Sequence, residues 1–137
     1  MNKLKIGFIC VHNSCRSIIA EGICRDKYGD MFEVYSGGTE KYDAPKPDAI
    51  DVLKRQYNIE GTFTSDLIDT LPELDIVVTM GCNVECPYLP SKYRCDFGID
   101  DPSGMSQQIF DLTAKIIELK IDILVKDLQS GVISLNK

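Results

Sequence analysis

Cys10 and Arg16 stand in the stretch "FICVHNSCRS", residues 8 to 17, in a C-x5-R spacing with Ser17 directly after the arginine. A cysteine thiolate is a strong nucleophile, and a guanidinium carries a permanent positive charge on a planar fork that matches a tetrahedral oxyanion. Between a strand end and a helix start, the backbone N–H groups of Val11, His12, Asn13, Ser14, Cys15 and Arg16 would lack partners, and the helix dipole would favour negative charge among them. Such a loop is an oxyanion cradle, and the same donors would stabilise the Cys10 thiolate. Ser17 adds a hydroxyl able to donate to the Cys10 sulfur, lowering its pKa or stabilising it as a leaving group. His12 is the only histidine of the chain. A cysteine activated by loop amides needs no separate base, so His12 is read as a loop-shaping residue, and Asn13 as a loop organiser tolerant of left-handed backbone. Residue types alone would favour two buried thiols at Cys10 and Cys15. The spacing, and its place between an apolar run and an amphipathic segment, turns the balance toward catalysis.

A second pair of cysteines, Cys82 and Cys86, lies in "GCNVECP". A flexible loop or an unwinding helical turn can close that separation into a disulfide. Two alternatives stay open on the residues alone: a zinc site using these two with Cys10 and Cys15, and a pair of structural thiols. The zinc site is the weaker, because neither pair has the C-x2-C spacing common in such sites and Arg16 would be left beside the thiolates without a role. Cys24 falls within the first helical segment and is read as core.

The elements that would position these residues alternate in type. Leu4 to Cys10 is a short apolar run suited to a strand buried on both faces. "SIIAEGICRDKYG" follows with Ile18, Ile19, Ile23 and Lys27 on helical spacing and a stop at Gly29. Phe32 to Ser36 alternates as a strand does, with "GG" as its turn. "AIDVLKRQYN" is a second helix, residues 75–80 ("DIVVTM") a central strand, and residues 93–99 ("YRCDFGI") a weaker one. Ile109, Leu112, Ile116, Ile117, Ile121, Leu124 and Leu128 recur through a long amphipathic helix. The final "SGVISLNK" is a short tail or one more edge segment. This order predicts an α/β fold, a central parallel four-stranded sheet with helices on both faces in three layers. Ligands of such sheets bind beyond the carboxyl ends of the strands, where Cys10, the "GC" at 81–82 and the "DDP" at 100–102 would converge.

Composition fixes the setting. The 137 residues, 44% hydrophobic and 26% charged, suit a single domain over 1–137. A net charge of −6 opposes nucleic acid and anionic membranes, so an anion must be captured by a local device. No run approaches a membrane span, and the start lacks the apolar segment and cleavage site of a secreted chain, so the expected compartment is the cytoplasm. In a reducing compartment, neighbouring cysteines point to metal or redox chemistry more than to a disulfide framework. A monomer is expected, on the reading that no helix has a surplus apolar face.

"CVHNSCRSIIAEG" resembles the phosphate-binding loop and following helix of the low-molecular-weight tyrosine phosphatase fold, and within it the arsenate reductases that use a thioredoxin-type reductant. "YSGGTE", "FTSDLIDTLPELDIVVTMGC", "CPYLP" and "FGIDDPSG" extend the similarity, in order, over nearly the whole chain. The resemblance implies that Cys10 attacks the arsenic of arsenate while Asp101, immediately before Pro102, protonates the departing hydroxide. Cys82 then attacks the Cys10 sulfur and releases arsenite, and Cys86 attacks Cys82 to leave a redox-active Cys82–Cys86 disulfide for thioredoxin or another thiol reductant. No cofactor is required. Some members hold a potassium ion beside the loop, and Asn13, Glu21, Ser36, Thr64 and Asp66 match those positions; a hydrogen-bonded network would use the same oxygen-bearing residues. Departures from the pattern are Ile18 and Ile19 after the loop, Cys95, and the lack of a tryptophan before "GIDDP". Phosphotyrosine or phosphomonoester hydrolysis by Cys10, Arg16 and Asp101 is the alternative activity. The Cys82–Cys86 pair, and the absence of tyrosines after Asp101-Pro102, favour the reductase.

Overall fold

A computed structural model of the chain describes residues 3–10, 16–38, 47–61, 67–81, 91–100, 102, 104–133 and 135. Four strands, β1 (Leu4–Cys10), β2 (Phe32–Gly38), β3 (Ile76–Thr79) and β4 (Tyr93–Asp96), form one parallel sheet in the order β2-β1-β3-β4. Three α-helices, α1 (Arg16–Tyr28), α2 (Pro47–Tyr57) and α3 (Gln107–Ser130), and a 3-10 helix at Ile68–Thr70 complete the described elements. β1 lies inside the sheet with a parallel neighbour on each side, which is why its sequence is apolar almost throughout.

The two faces of the sheet are covered differently. Ile6, Phe8 and Cys10 of β1, with Val34, Ile76 and Val78 beside them, point into a large core closed by α1, α2 and α3. Ile9 and Val77 point to the opposite face, where Leu74 packs on them together with Ile68 and Leu71 around the 3-10 helix. The expected four-stranded parallel sheet is present; among the described residues, the α-helices pack on one face and the short 3-10 helix on the other. That 3-10 helix carries no periodic sequence signal and was not anticipated.

Three features differ from expectation for physical reasons. Gly37 and Gly38 belong to β2 instead of a turn, paired opposite Ile9 and Cys10. A Cβ on Gly37 would stand 2.9 Å from Leu71 Cδ1 and 3.2 Å from Ile68 Cγ2, so glycine lets the 3-10 helix lie against the strand. β4 stops at Asp96, whose carboxylate accepts from Thr79 of β3 and from the backbone of Gly81, two residues beyond it. α3 buries Phe110, Ala114, Ile117, Ile121, Leu124 and Val125 but exposes Ile109, Leu112 and Ile116, so the apolar residues read as one stripe occupy two faces. The helix ends at Gly131 in the left-handed region, and Ile133 N–H returns to Asp127 O at 3.1 Å. The described part of the tail therefore folds back on the core, with Ile133 and Leu135 packed against it.

Cys24 is fully buried, and burial pushes its thiol up to about 12. Half-buried Cys95 is pushed up to about 11, again by burial first. Both thiols stay protonated in the folded chain at neutral pH, which makes them poor nucleophiles. The folded values lie above the ordinary 9.0, so the stability that depends on the protonated thiols is complete below about pH 9 and is lost as pH rises toward the folded values. The urea midpoint should therefore fall between about pH 8 and about pH 10.5, and Cys24→Ala should flatten that fall. At neutral pH, Ile117→Ala, which empties a fully buried position between the sheet and the helices, should cost about 3 kcal/mol in urea unfolding.

Candidate active site

Cys10 ends β1 at the carboxyl edge of the sheet, and α1 begins at Arg16, so residues 11–15 join a strand end to a helix start as the sequence predicts. The loop residues Val11, His12, Asn13, Ser14 and Cys15 lie outside the described residues. What surrounds the loop is described in detail. The Cys10 side chain is almost fully enclosed, with 3% of the residue exposed, and its Sγ lies 3.0 Å from Ser17 Oγ, itself buried. Ser17 reaches back to the strand end because it occupies the first turn of α1. The hydroxyl is thus placed where it can donate to a thiolate, the role that its position after Arg16 suggested.

Arg16 Nη1 donates to Met80 O at 2.9 Å and to Ile99 O at 2.8 Å. Met80 follows β3, and Ile99 lies beyond β4. One guanidinium therefore ties together the segments leaving two strands, beside the end of a third at Cys10. The convergence of three strand ends on one rim, expected from the parallel sheet, is realised through this side chain. Backbone carbonyls leave no mark in a sequence, so these two partners could not have been foreseen.

Asp96 is a further rim residue that the sequence reading missed. Its Oδ1 accepts from Thr79 Oγ1 at 2.5 Å and from Gly81 N at 2.9 Å. Gly81 has φ +100°, and a Cβ there would stand 2.9 Å from Ile99 O and 3.1 Å from Ile99 N. Only glycine allows the chain entering "GCNVECP" to pass so close to the backbone that Arg16 holds. Cys82 and Cys86 follow this anchored residue but lie outside the described residues, as do Asp101, Thr64 and Asp66. Asp100, exposed, and Pro102, buried, flank Asp101.

Of the residues matched to a potassium site, Glu21 and Ser36 are brought together. Ser36 Oγ donates to Glu21 Oε1, and Glu21 Oε2 pairs with Arg25 Nη2 at 2.6 Å. Arg25 Nη2 also donates to Val34 O at 3.0 Å, which fixes the cluster between α1 and β2. Among the described residues, no group of three or more His, Cys, Asp or Glu side chains is placed to hold a metal ion.

An enclosed cysteine with a hydroxyl at its sulfur, an arginine at the first position of α1 and strand ends gathered around both make an arrangement suited to nucleophilic attack on an oxyanion. The chain matches the low molecular weight phosphotyrosine protein phosphatase family over residues 5–133. It is 38% identical over 127 residues to the arsenate reductase of Staphylococcus xylosus, a match covering 89% of this chain and 96% of that one. Among solved structures, it superposes on an arsenate reductase in the phosphate binding state with a TM-score of 0.81 and 28% identity, over 90% of this chain and 98% of the other. An arsenate reductase in the oxidized state gives a TM-score of 0.79 at 26% identity, over 90% and 97% of the two chains. Sequence family and fold agree, and the chain belongs to the low molecular weight phosphotyrosine protein phosphatase family.

Proposed function

We propose that this protein is an arsenate reductase, acting through a Cys10 thiol–arsenic adduct and a Cys10–Cys82–Cys86 disulfide relay. The observation that carries the proposal is the near full-length similarity to arsenate reductases in a chain that also holds the "GCNVECP" pair. The enclosed Cys10 with Ser17 at its sulfur, and Arg16 beside it, supply what the first step needs.

In that step the oxyanion sits in the loop of residues 11–16, held by backbone N–H groups and by the Nε and Nη2 edge of Arg16, the edge opposite the carbonyls of Met80 and Ile99. The Cys10 thiolate attacks arsenic, a sulfur–arsenic bond forms, and hydroxide leaves as water after protonation by Asp101. The Cys82 thiolate then attacks the Cys10 sulfur. The sulfur–arsenic bond breaks with its electron pair going to arsenic, which becomes arsenite, and a Cys10–Cys82 disulfide remains. Cys86 attacks Cys82, frees Cys10, and leaves a Cys82–Cys86 disulfide for a dithiol reductant of the thioredoxin type. Ser17 stabilises Cys10 both as nucleophile and as leaving group. Asp96, by holding the Gly81 amide, sets the starting point of the Cys82 segment.

A phosphatase reaction with Cys10, Arg16 and Asp101 is the second reading, favoured by the family itself. Phosphate and arsenate share shape and charge, so the same loop would take either. At Glu21 and Ser36 we favour the hydrogen-bonded network over a potassium ion, because a cation there would lie beside the Arg25 guanidinium that already balances Glu21. We place this one-domain protein in the cytoplasm, where its thiols would be kept reduced; no helix among the described residues is long and apolar enough to cross a membrane.

Three outcomes follow. Cys82→Ser should abolish multiple-turnover arsenate reduction and leave aryl phosphate hydrolysis in place, whereas unchanged reduction would contradict the relay. Cys86→Ser should stop after one turnover with Cys10 and Cys82 joined, a bond that peptide mapping under non-reducing conditions identifies. Arg16→Lys, which removes the fork, and Gly81→Ala, which forces a side chain against Ile99, should each lower both activities, the former by at least about 100-fold in kcat/KM.

A further inference from the structure

The face of α3 turned away from the sheet is apolar. Ile109, Leu112, Ile116, Leu119 and Ile123 are all solvent-exposed, from 38% at Ile116 to 60% at Leu119, while Ile117, Ile121 and Leu124 of the same helix face the core. The exposed residues follow one another at alternating steps of three and four. That is the narrow seam of a two-helix coiled coil, a pattern that presents knobs to one partner helix. A helix with a second apolar side of this regularity is not a solvated surface helix.

We infer that this seam is covered by a second copy of the chain, with two α3 helices packed antiparallel about a two-fold axis. The seam is self-complementary. Setting Ile116 against Leu119 of the second copy also sets Leu112 against Ile123, and symmetry repeats each contact. The same register brings Lys115 near Asp122 of the second copy, a carboxylate that already accepts from Lys27 and Tyr28 of its own chain. The area is sufficient: the five side chains leave on the order of 400 Å² of apolar surface on each copy, and with a polar rim of ordinary proportion the total approaches the roughly 1,200–2,000 Å² of stable interfaces. Charge does not oppose the pairing locally, since Asp111, Glu118 and Asp122 of α3 are already paired with Arg55 and Lys27 of their own chain, and Lys115, Lys120 and Lys126 lie along the same helix. The net charge of −6 does oppose an anionic bilayer as the alternative cover. The expectation of a monomer rested on no helix having a spare apolar face, and α3 has one.

Light scattering on the full chain at about 100 µM tests the pairing. The expected mass is twice 15.3 kDa. Leu119→Glu should raise the dissociation constant by at least about 100-fold and yield a monomer with unchanged aryl phosphatase activity and circular dichroism. Leu119→Met, which keeps volume and apolarity, should stay dimeric. Ile123→Lys, at the other end of the seam, should behave as Leu119→Glu, so a folding defect in one variant leaves the other to decide. A wild-type mass of 15.3 kDa at that concentration overturns the inference, including for a chain that floats with phosphatidylcholine vesicles. So does a dimer that persists in both charged variants.

Discussion

The rim of the sheet is organised by one guanidinium. Arg16 Nη1 bonds Met80 O and Ile99 O, groups 64 and 83 residues away in sequence, and those bonds join the segments leaving β3 and β4 to the first turn of α1. Charged hydrogen bonds of this kind are worth about 1.5–3 kcal/mol each, more than neutral ones, because the carbonyls gain a fixed positive partner in a partly dry setting. Arginine suits the place for a geometric reason. Its fork has donors along two edges, so one edge can brace the protein while the other faces an anion. Lysine, a point charge, could not do both.

The remaining architecture serves that rim. A parallel sheet delivers all its carboxyl ends to one side, and burial of β1 between two neighbours makes Cys10 a fixed point. Asp96 and Gly81 then bring the chain from β3 close against Ile99, so the segment carrying Cys82 and Cys86 starts within the same cluster of bonds. The cysteines divide according to environment. Burial holds Cys24 and Cys95 as protonated thiols that fill space, whereas Cys10 has a hydroxyl at its sulfur and the start of a helix beside it.

Much of this was legible in the residues. The β-branched and apolar runs of β1 and β3 announced buried strands, and a cysteine and an arginine spaced across a strand-to-helix junction announced an anion loop. The contact between Cys10 and Ser17 follows from that spacing, since the first helical turn lies over the strand end. Other features had no signal to read. The acceptors of Arg16 are backbone carbonyls, which every residue possesses. Asp96 gave no sign of its role because "YRCDFGI" reads equally as a continuous strand. The two apolar sides of α3 were merged because steps of three and four fit either of two adjacent stripes, and only packing against the sheet separates Ile116 from Ile117. Gly37 and Gly38 carry a turn signal in sequence, although a strand accepts glycine where another segment must lie close against it.

Reduction of the oxyanion, beyond its binding or hydrolysis, is what sets a reductase apart from a phosphatase at this loop. Arsenite formed from arsenate by the wild-type chain, quantified by element-specific chromatography with reduced thioredoxin as the electron source, tests it most directly. Many arsenite molecules per chain are expected, with one thioredoxin disulfide formed for each. Arsenite no faster than in enzyme-free controls, from a chain that hydrolyses an aryl phosphate efficiently, would contradict it and make the protein a phosphatase.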